Sequence, residues 1–202
     1  MRLGEQRMIY RTSQGPKTNP IWVLIGLNFI LFIVTLVNQD VLFLLWFRPL
    51  TFSSRPWTIL TSLFIHAGFW HIIANMFTLY FFGRQLSRLV GRNSFLAVYF
   101  VGGIVGNILF MLLASPFTPL VGASGAIFAI GGTLAVMRPK IKVLIFPVPV
   151  PVPLWAAIIG IFVVLSFVPS IAWQAHLGGL IVGLIAGYFF RMRERRLYFG
   201  WH

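Results

Sequence analysis

Long apolar runs alternate along the chain with short polar or basic segments. Their spacing predicts six membrane spans. The first covers residues 21–37 and is opened by Pro20. The second lies within 59–82, starting near Gly68. The third covers 95–113. The fourth covers 120–137, closed by Arg138 and Pro139. The fifth covers 154–168, and the sixth covers 171–190, closed by "RMRERR". The strand-period alternation of a membrane barrel is missing, and the runs exceed the length of a barrel strand. The pattern predicts an all-α polytopic membrane protein, a bundle of six transmembrane helices. Two connections stand out. "PVPVPVP", ahead of the fifth run, cannot be helix interior and reads as a stiff, extended connector. Residues 38–67 contain "LLWFRPLTFSSRPW", apolar and aromatic enough to lie in the membrane interface.

Composition agrees with this class. Of 202 residues, 58% are apolar and only 9% are charged. A soluble domain carries roughly 25% charged residues, so this chain could not cover itself in water. The formal net charge is +13. With six spans, fourteen of the sixteen Lys and Arg fall on one side. They are Arg2, Arg7, Arg11 and Lys17; Arg84, Arg88 and Arg92; Arg138, Lys140 and Lys142; and Arg191, Arg193, Arg195 and Arg196. Only Arg48 and Arg55 fall on the other. Cytoplasmic loops carry the Lys/Arg excess, so both termini are expected to be cytoplasmic. The positive charge flanks spans and forms no separate basic domain, which argues against nucleic acid as a partner. A signal peptide would place its apolar core nearer the start than "MRLGEQRMIYRTSQGPKTNP" allows, so the first run is expected to be retained. Short tails without a targeting signal point to a prokaryotic plasma (inner) membrane. Cysteine is absent, which removes disulfides and thiolate chemistry.

The polar residues inside the apolar runs carry the chemistry. The second, fourth and sixth spans all run from outside to inside. Near their outer ends stand His71 and Asn75, then Ser124, then His176. Ionisable groups in a bilayer are expensive and face a bundle interior or a wet cavity. The structural alternative is that each merely satisfies a neighbouring backbone group or packs two helices. Four such residues at one depth weaken that alternative. His71 and Asn75, four apart, share a helix face. Gly179, Gly183 and Gly187 form a ridge on the sixth span, with His176 close to the same face. Ser124, Gly131 and Ala135 line up on the fourth, with Gly125 and Gly132 at the edge. Pressing the two faces together is expected to bring Ser124 to His176.

A serine hydroxyl needs a base to become a nucleophile. The only acids are Glu5, Asp40 and Glu194, none inside a predicted span. A Ser–His dyad without a buried acid is therefore expected, with Phe128, one turn beyond Ser124, stacking on the histidine. Ser124 lies in the first turn of its helix, where backbone N–H groups are free for a developing oxyanion. His71 and Asn75 can add side-chain donors, and Gly122 allows close approach of a substrate backbone. An aspartyl protease lacks its two intramembrane acids here. A zinc protease lacks its His-Glu-x-x-His.

These residues resemble the rhomboid intramembrane serine proteases. "GASG" at 122–125 is similar to their Gly-x-Ser-Gly motif, "HIIAN" at 71–75 to their His-x-x-x-Asn motif, and "AHLGGLIVG" at 175–183 to their sixth span. "HAGFWH" at 66–71 is also family-like. Trp46-Phe47-Arg48 matches the family's Trp-Arg pair imperfectly, and Phe128 stands where many members have tyrosine. The resemblance implies a protease domain over 20–191 between basic cytoplasmic tails, 1–19 and 192–202. It implies Ser124 as nucleophile, His176 as general base, and His71 and Asn75 in the oxyanion hole. Gly122, Gly125, Phe128, Gly179 and Gly183 would support them. It implies hydrolysis of a peptide bond in or near the transmembrane helix of a membrane-protein substrate. The substrate would enter laterally past the fifth span, in contact with membrane lipid. No metal or organic cofactor is implied. Two other readings stand beside it: a catalytically inactive relative that binds client membrane proteins, and a small transporter or channel, for which inverted repeats would be needed.

Overall fold

The computed structural model describes residues 19–145 and 148–199. The N-terminal basic tail with Glu5, the Phe146–Pro147 step of the proline run and His202 lie outside the described residues. Helix α1 (Pro20–Val37) starts with Pro20 in its first turn, and the Asn19 side chain accepts from the Ile21 N–H. Asn38 ends it and in turn caps α2 (Gln39–Leu45) through the Asp40 N–H. A short helix α3 (Thr58–Thr61) and a 3₁₀ turn (Ser62–Phe64) follow. The chain then bends by 91° into α4 (Phe69–Thr78), which continues through a π-helical turn (Leu79–Gly83) into α5 (Arg84–Val90). Gly91, at φ +83°, separates α5 from α6 (Arg92–Leu113).

Helix α7 (Ser124–Met137) is the central post. Twelve of its fourteen residues are buried, all but Ser124 and Val136. A helix that is apolar all round belongs in a core. It packs most heavily on α9 (Trp173–Phe199) and on α6, with α8 (Leu154–Ser166) on a further side. The α7–α9 seam has no room for side chains. A Cβ at Gly179 would strike the Gly125 carbonyl, one at Gly183 the Ala129 carbonyl, and one at Gly187 would lie 2.8 Å from the Thr133 carbonyl oxygen. Thr133 Oγ1 also donates across the seam to the Gly183 carbonyl, 3.1 Å away.

The structure corrects the sequence expectations in four places. The seam on α7 runs Gly125–Ala129–Thr133, whereas Gly131 faces Ile158 of α8. The face expected from Ser124, Gly131 and Ala135 is therefore rotated, because small residues cover α7 on more than one side. The fourth helix begins at Ser124 and not at 120. Residues 120–122 lie outside the helix and Ala123 turns the chain into it: Leu120 exchanges backbone hydrogen bonds with Phe47, and the Gly122 N–H donates to the Ser62 carbonyl. The bundle is not purely helical. The proline run is extended as expected, but it forms a strand, β2 (Val148–Pro153), antiparallel to β1 (Lys142–Ile145). Proline cannot donate to a ladder, which suits an edge strand. Finally, "RMRERR" does not end the sixth helix. It continues α9, where late basic residues suit the negative end of the helix dipole.

Among the described residues three helices are long and apolar enough to cross a membrane: Pro20–Val37, Arg92–Leu113 and Trp173–Arg196. There are four if the bent pair Thr58–Phe64 and Phe69–Val90 is one span. Helices α7 and α8 are apolar but shorter. The outer surface carries many exposed large apolar side chains, among them Trp22, Ile33, Phe77, Leu112, Val164 and Phe189. Spread over several helices, they make the lipid-facing exterior of an integral membrane protein.

Candidate functional site

Ser124 is the first residue of α7, just after a segment held by backbone hydrogen bonds to Phe47 and Ser62. Gly122 has φ +121°, a backbone conformation that side-chain-bearing residues rarely adopt. It also has no space for a side chain. A Cβ there would lie 2.8 Å from both Cε1 and Nε2 of His71 and 3.7 Å from Ser124 Oγ. The His71 ring thus lies over Gly122, beside the serine hydroxyl.

His176 enters from the first turn of α9. Its Nε2 is 2.8 Å from Ser124 Oγ, a hydrogen-bond distance. The Phe128 ring stacks on the imidazole, with centroids 4.6 Å apart and planes 28° from parallel. Among the described residues Nδ1 of His176 has no hydrogen-bond partner. Of the acids, Asp40 is exposed at the start of α2, and Glu194 forms a bidentate ion pair with Arg138 near the far end of α9. Stacking and packing orient this histidine where a carboxylate could have done so.

Asn75 lies one turn after His71, and its Nδ2 donates to the His71 carbonyl at 2.8 Å. A side-chain amide has two N–H donors, so one remains to face the cavity that Asn75 lines. His66 is buried outside that cavity, with its ring edge-on to His71 at 4.9 Å. Among the described residues no three His, Cys, Asp or Glu side chains gather as a metal site would require.

These side chains floor a cavity of about 830 Å³. One wall is α4, through Ala74, Asn75 and Thr78. The opposite wall is α8, through Ile158, Ile161 and Leu165. Leu42 and Trp46 of the 38–67 segment also line the cavity. The walls are apolar and the polar groups converge on one spot, the usual build of a binding site. All four polar residues singled out in the sequence come together here. The glycines divide into Gly122, which makes room for His71, and Gly125, Gly179 and Gly183, which close the α7–α9 seam. The imperfect Trp46-Phe47-Arg48 motif has a clear place. Phe47 is fully buried and paired with Leu120, and Arg48 Nε donates to the Phe117 carbonyl at 2.9 Å. The loop is thereby tied to the segment that leads into Ser124.

Sequence reading did not single out Asn107 and Ser62, which hold the Gly122 segment from behind. The signal was present, since Asn107 is polar within an apolar run.

A family model described as the Rhomboid domain matches residues 53–193. Rhomboid protein 1, mitochondrial, of Saccharomyces cerevisiae is 30% identical over 90% of this chain and 58% of its own length. The putative rhomboid protease YdcA of Bacillus subtilis is 32% identical over 72% of this chain and 73% of its own. Rhomboid-like protease 3 of Toxoplasma gondii is 29% identical over 81% of this chain and 66% of its own. Similar proteins also include mitochondrial and chloroplastic members from Arabidopsis thaliana. The relatives therefore do not favour the prokaryotic plasma membrane expected from the short tails.

Proposed function

Because the chain belongs to the rhomboid family, we propose that it is an intramembrane serine endopeptidase working through a Ser124–His176 dyad. The single observation that carries this reading is the 2.8 Å contact between Ser124 Oγ and His176 Nε2 on the floor of the cavity.

His176 Nε2 takes the hydroxyl proton as Ser124 Oγ attacks the scissile carbonyl carbon. The carbonyl oxygen becomes an oxyanion beside the Ser124 backbone N–H, the His71 ring and the free Asn75 donor. His176 then gives its proton to the leaving amine, which departs as one product. Water, deprotonated by the same imidazole, hydrolyses the acyl-enzyme and restores the hydroxyl. Phe128 holds the ring in the plane this exchange needs, the part a carboxylate plays in a triad.

The substrate class follows from the cavity walls. They are apolar, they belong to α4 and α8, and they suit a transmembrane helix arriving from the lipid side. Depth follows from length. Fourteen residues of helix run about 21 Å, against roughly 30 Å of hydrocarbon. If the far end of α7 meets one membrane face, Ser124 lies submerged below the other. Six spans with both termini cytoplasmic belong to the same reading. Residues 120–123 and the β1–β2 hairpin extend the two short helices, and the basic residues gather on one side.

The test is labelling of the detergent-purified protein with a fluorophosphonate, beside Ser124→Ala and His176→Ala. Labelling of wild type alone is expected. A folded wild type that stays unlabelled would support a client-binding role in place of catalysis.

A further inference from the structure

Among the described residues three asparagines are buried inside apolar helices: Asn28, Asn75 and Asn107. Asn28 and Asn75 donate to the carbonyl four residues earlier in their own helices. Asn107, in α6 and 3% exposed, does something different. Its Nδ2 donates to the Ile59 carbonyl at 2.7 Å and to Ser62 Oγ at 2.9 Å, bridging 48 and 45 residues of chain. Ser62 is equally buried, and its carbonyl accepts the Gly122 N–H at 2.9 Å. Two residues later comes Ser124. Gly103, one turn before Asn107, accommodates Leu63, whose methyls would lie 2.7 Å from a Cβ there. The same stretch of α6 therefore grips Ser62 and Leu63 side by side.

The neighbouring position reaches the other half of the dyad. A Cβ at Gly106 would lie 2.6 Å from the carbonyl oxygen of Ala175, the residue before His176. Adjacent residues of one helix thus index both reacting side chains: Gly106 seats Ala175, and Asn107 acts through Ser62 on Gly122.

We propose that Asn107 is a positioning residue for the oxyanion side of the site. By fixing Ser62 it fixes the Gly122 peptide, and with it the direction of the Ser124 N–H. The proposal rests on the serine-protease reading above. Gly122 holds an uncommon backbone angle between the His71 ring and the Ser62 carbonyl. Releasing one side lets the 122–124 peptides rotate and turns the donor away from the developing charge. A displacement of that kind costs up to about 100-fold in rate. The cavity walls on α4 and α8 are untouched, so the loss should appear in kcat with KM nearly constant.

The experiment compares wild type, Asn107→Leu and Ser62→Ala, with Phe32→Ala as a destabilised control in α1. Each is assayed for fluorophosphonate labelling rate and for cleavage of a transmembrane-helix substrate in liposomes. Thermal unfolding is followed in parallel. Asn107→Leu should lose about 10- to 100-fold in kcat and labelling rate, with KM within about twofold. Phe32→Ala should keep its kcat at a comparable unfolding temperature. Ser62→Ala keeps its backbone carbonyl and loses only one partner, so it should fall about 3- to 10-fold in kcat. It decides the matter if Asn107→Leu does not fold. Wild-type kcat in either folded variant, a loss confined to KM, or an equal loss in Phe32→Ala overturns the proposal. An unlabelled wild type overturns the protease reading as well, so the two failures are distinguishable.

Discussion

A methyl group at Gly122 would press on the His71 ring and would sit on a backbone at φ +121°. Both penalties act on the peptide leading into Ser124, so this glycine tests the site at a single position. Gly122→Ala is expected to destabilise the protein by about 1–3 kcal/mol and to lower the labelling rate at Ser124 at least tenfold. Thermal unfolding and probe kinetics read the two effects separately. Wild-type labelling by a folded Gly122→Ala protein would show that neither the glycine nor the His71 contact matters to the reactivity of Ser124. Ser124, His71, Asn75 and His176 were legible in the sequence because polar side chains inside apolar runs are costly and few. Asn107 was equally visible as a polar residue. Its role was not, because the groups it bonds are a carbonyl and a hydroxyl 45 to 48 residues away.

Between elements, the α7–α9 seam decides whether Ser124 and His176 meet. Glycines every four residues on α9 let its backbone lie against Gly125, Ala129 and Thr133. Periodicity identified the ridge on α9 correctly. It misplaced the matching face on α7, since a helix buried on nearly all sides has no polar stripe to mark its orientation. Gly183→Leu would push the Ala129 carbonyl away and should cost about 1–3 kcal/mol as overpacking. It should also slow labelling by drawing His176 off Ser124. Gly160, on α8, has open space where a Cβ would go, and Gly160→Ala should change stability by no more than about 0.5 kcal/mol. Equal unfolding shifts for the two variants would contradict this account of the seam.

For the whole molecule, the basic residues make orientation testable. The chain has no cysteine, so each introduced thiol is a unique label. Ser53 and Lys140 are exposed, and the proposed six-span arrangement puts them on opposite sides. In intact bacterial cells expressing the protein, an impermeant maleimide should label Ser53→Cys directly and Lys140→Cys only after permeabilisation. The reverse pattern would invert the proposed topology.

Membrane class, the approximate places of the long apolar helices and the identity of the polar residues were determined by the sequence alone. They depend on composition and local periodicity, which a chain carries without folding. The late start of α7 at Ser124, the β1–β2 pairing and the rotation of α7 were decided only in the tertiary structure. So were the hold of α6 on Gly122 and the 2.8 Å approach of His176. Each of these depends on what a distant segment places opposite. Leu120 stays extended because Phe47 pairs with it, and Gly122 keeps its angle because Ser62 and His71 flank it. Apolar periodicity reports which residues leave water or enter lipid. It does not report which neighbour they meet there.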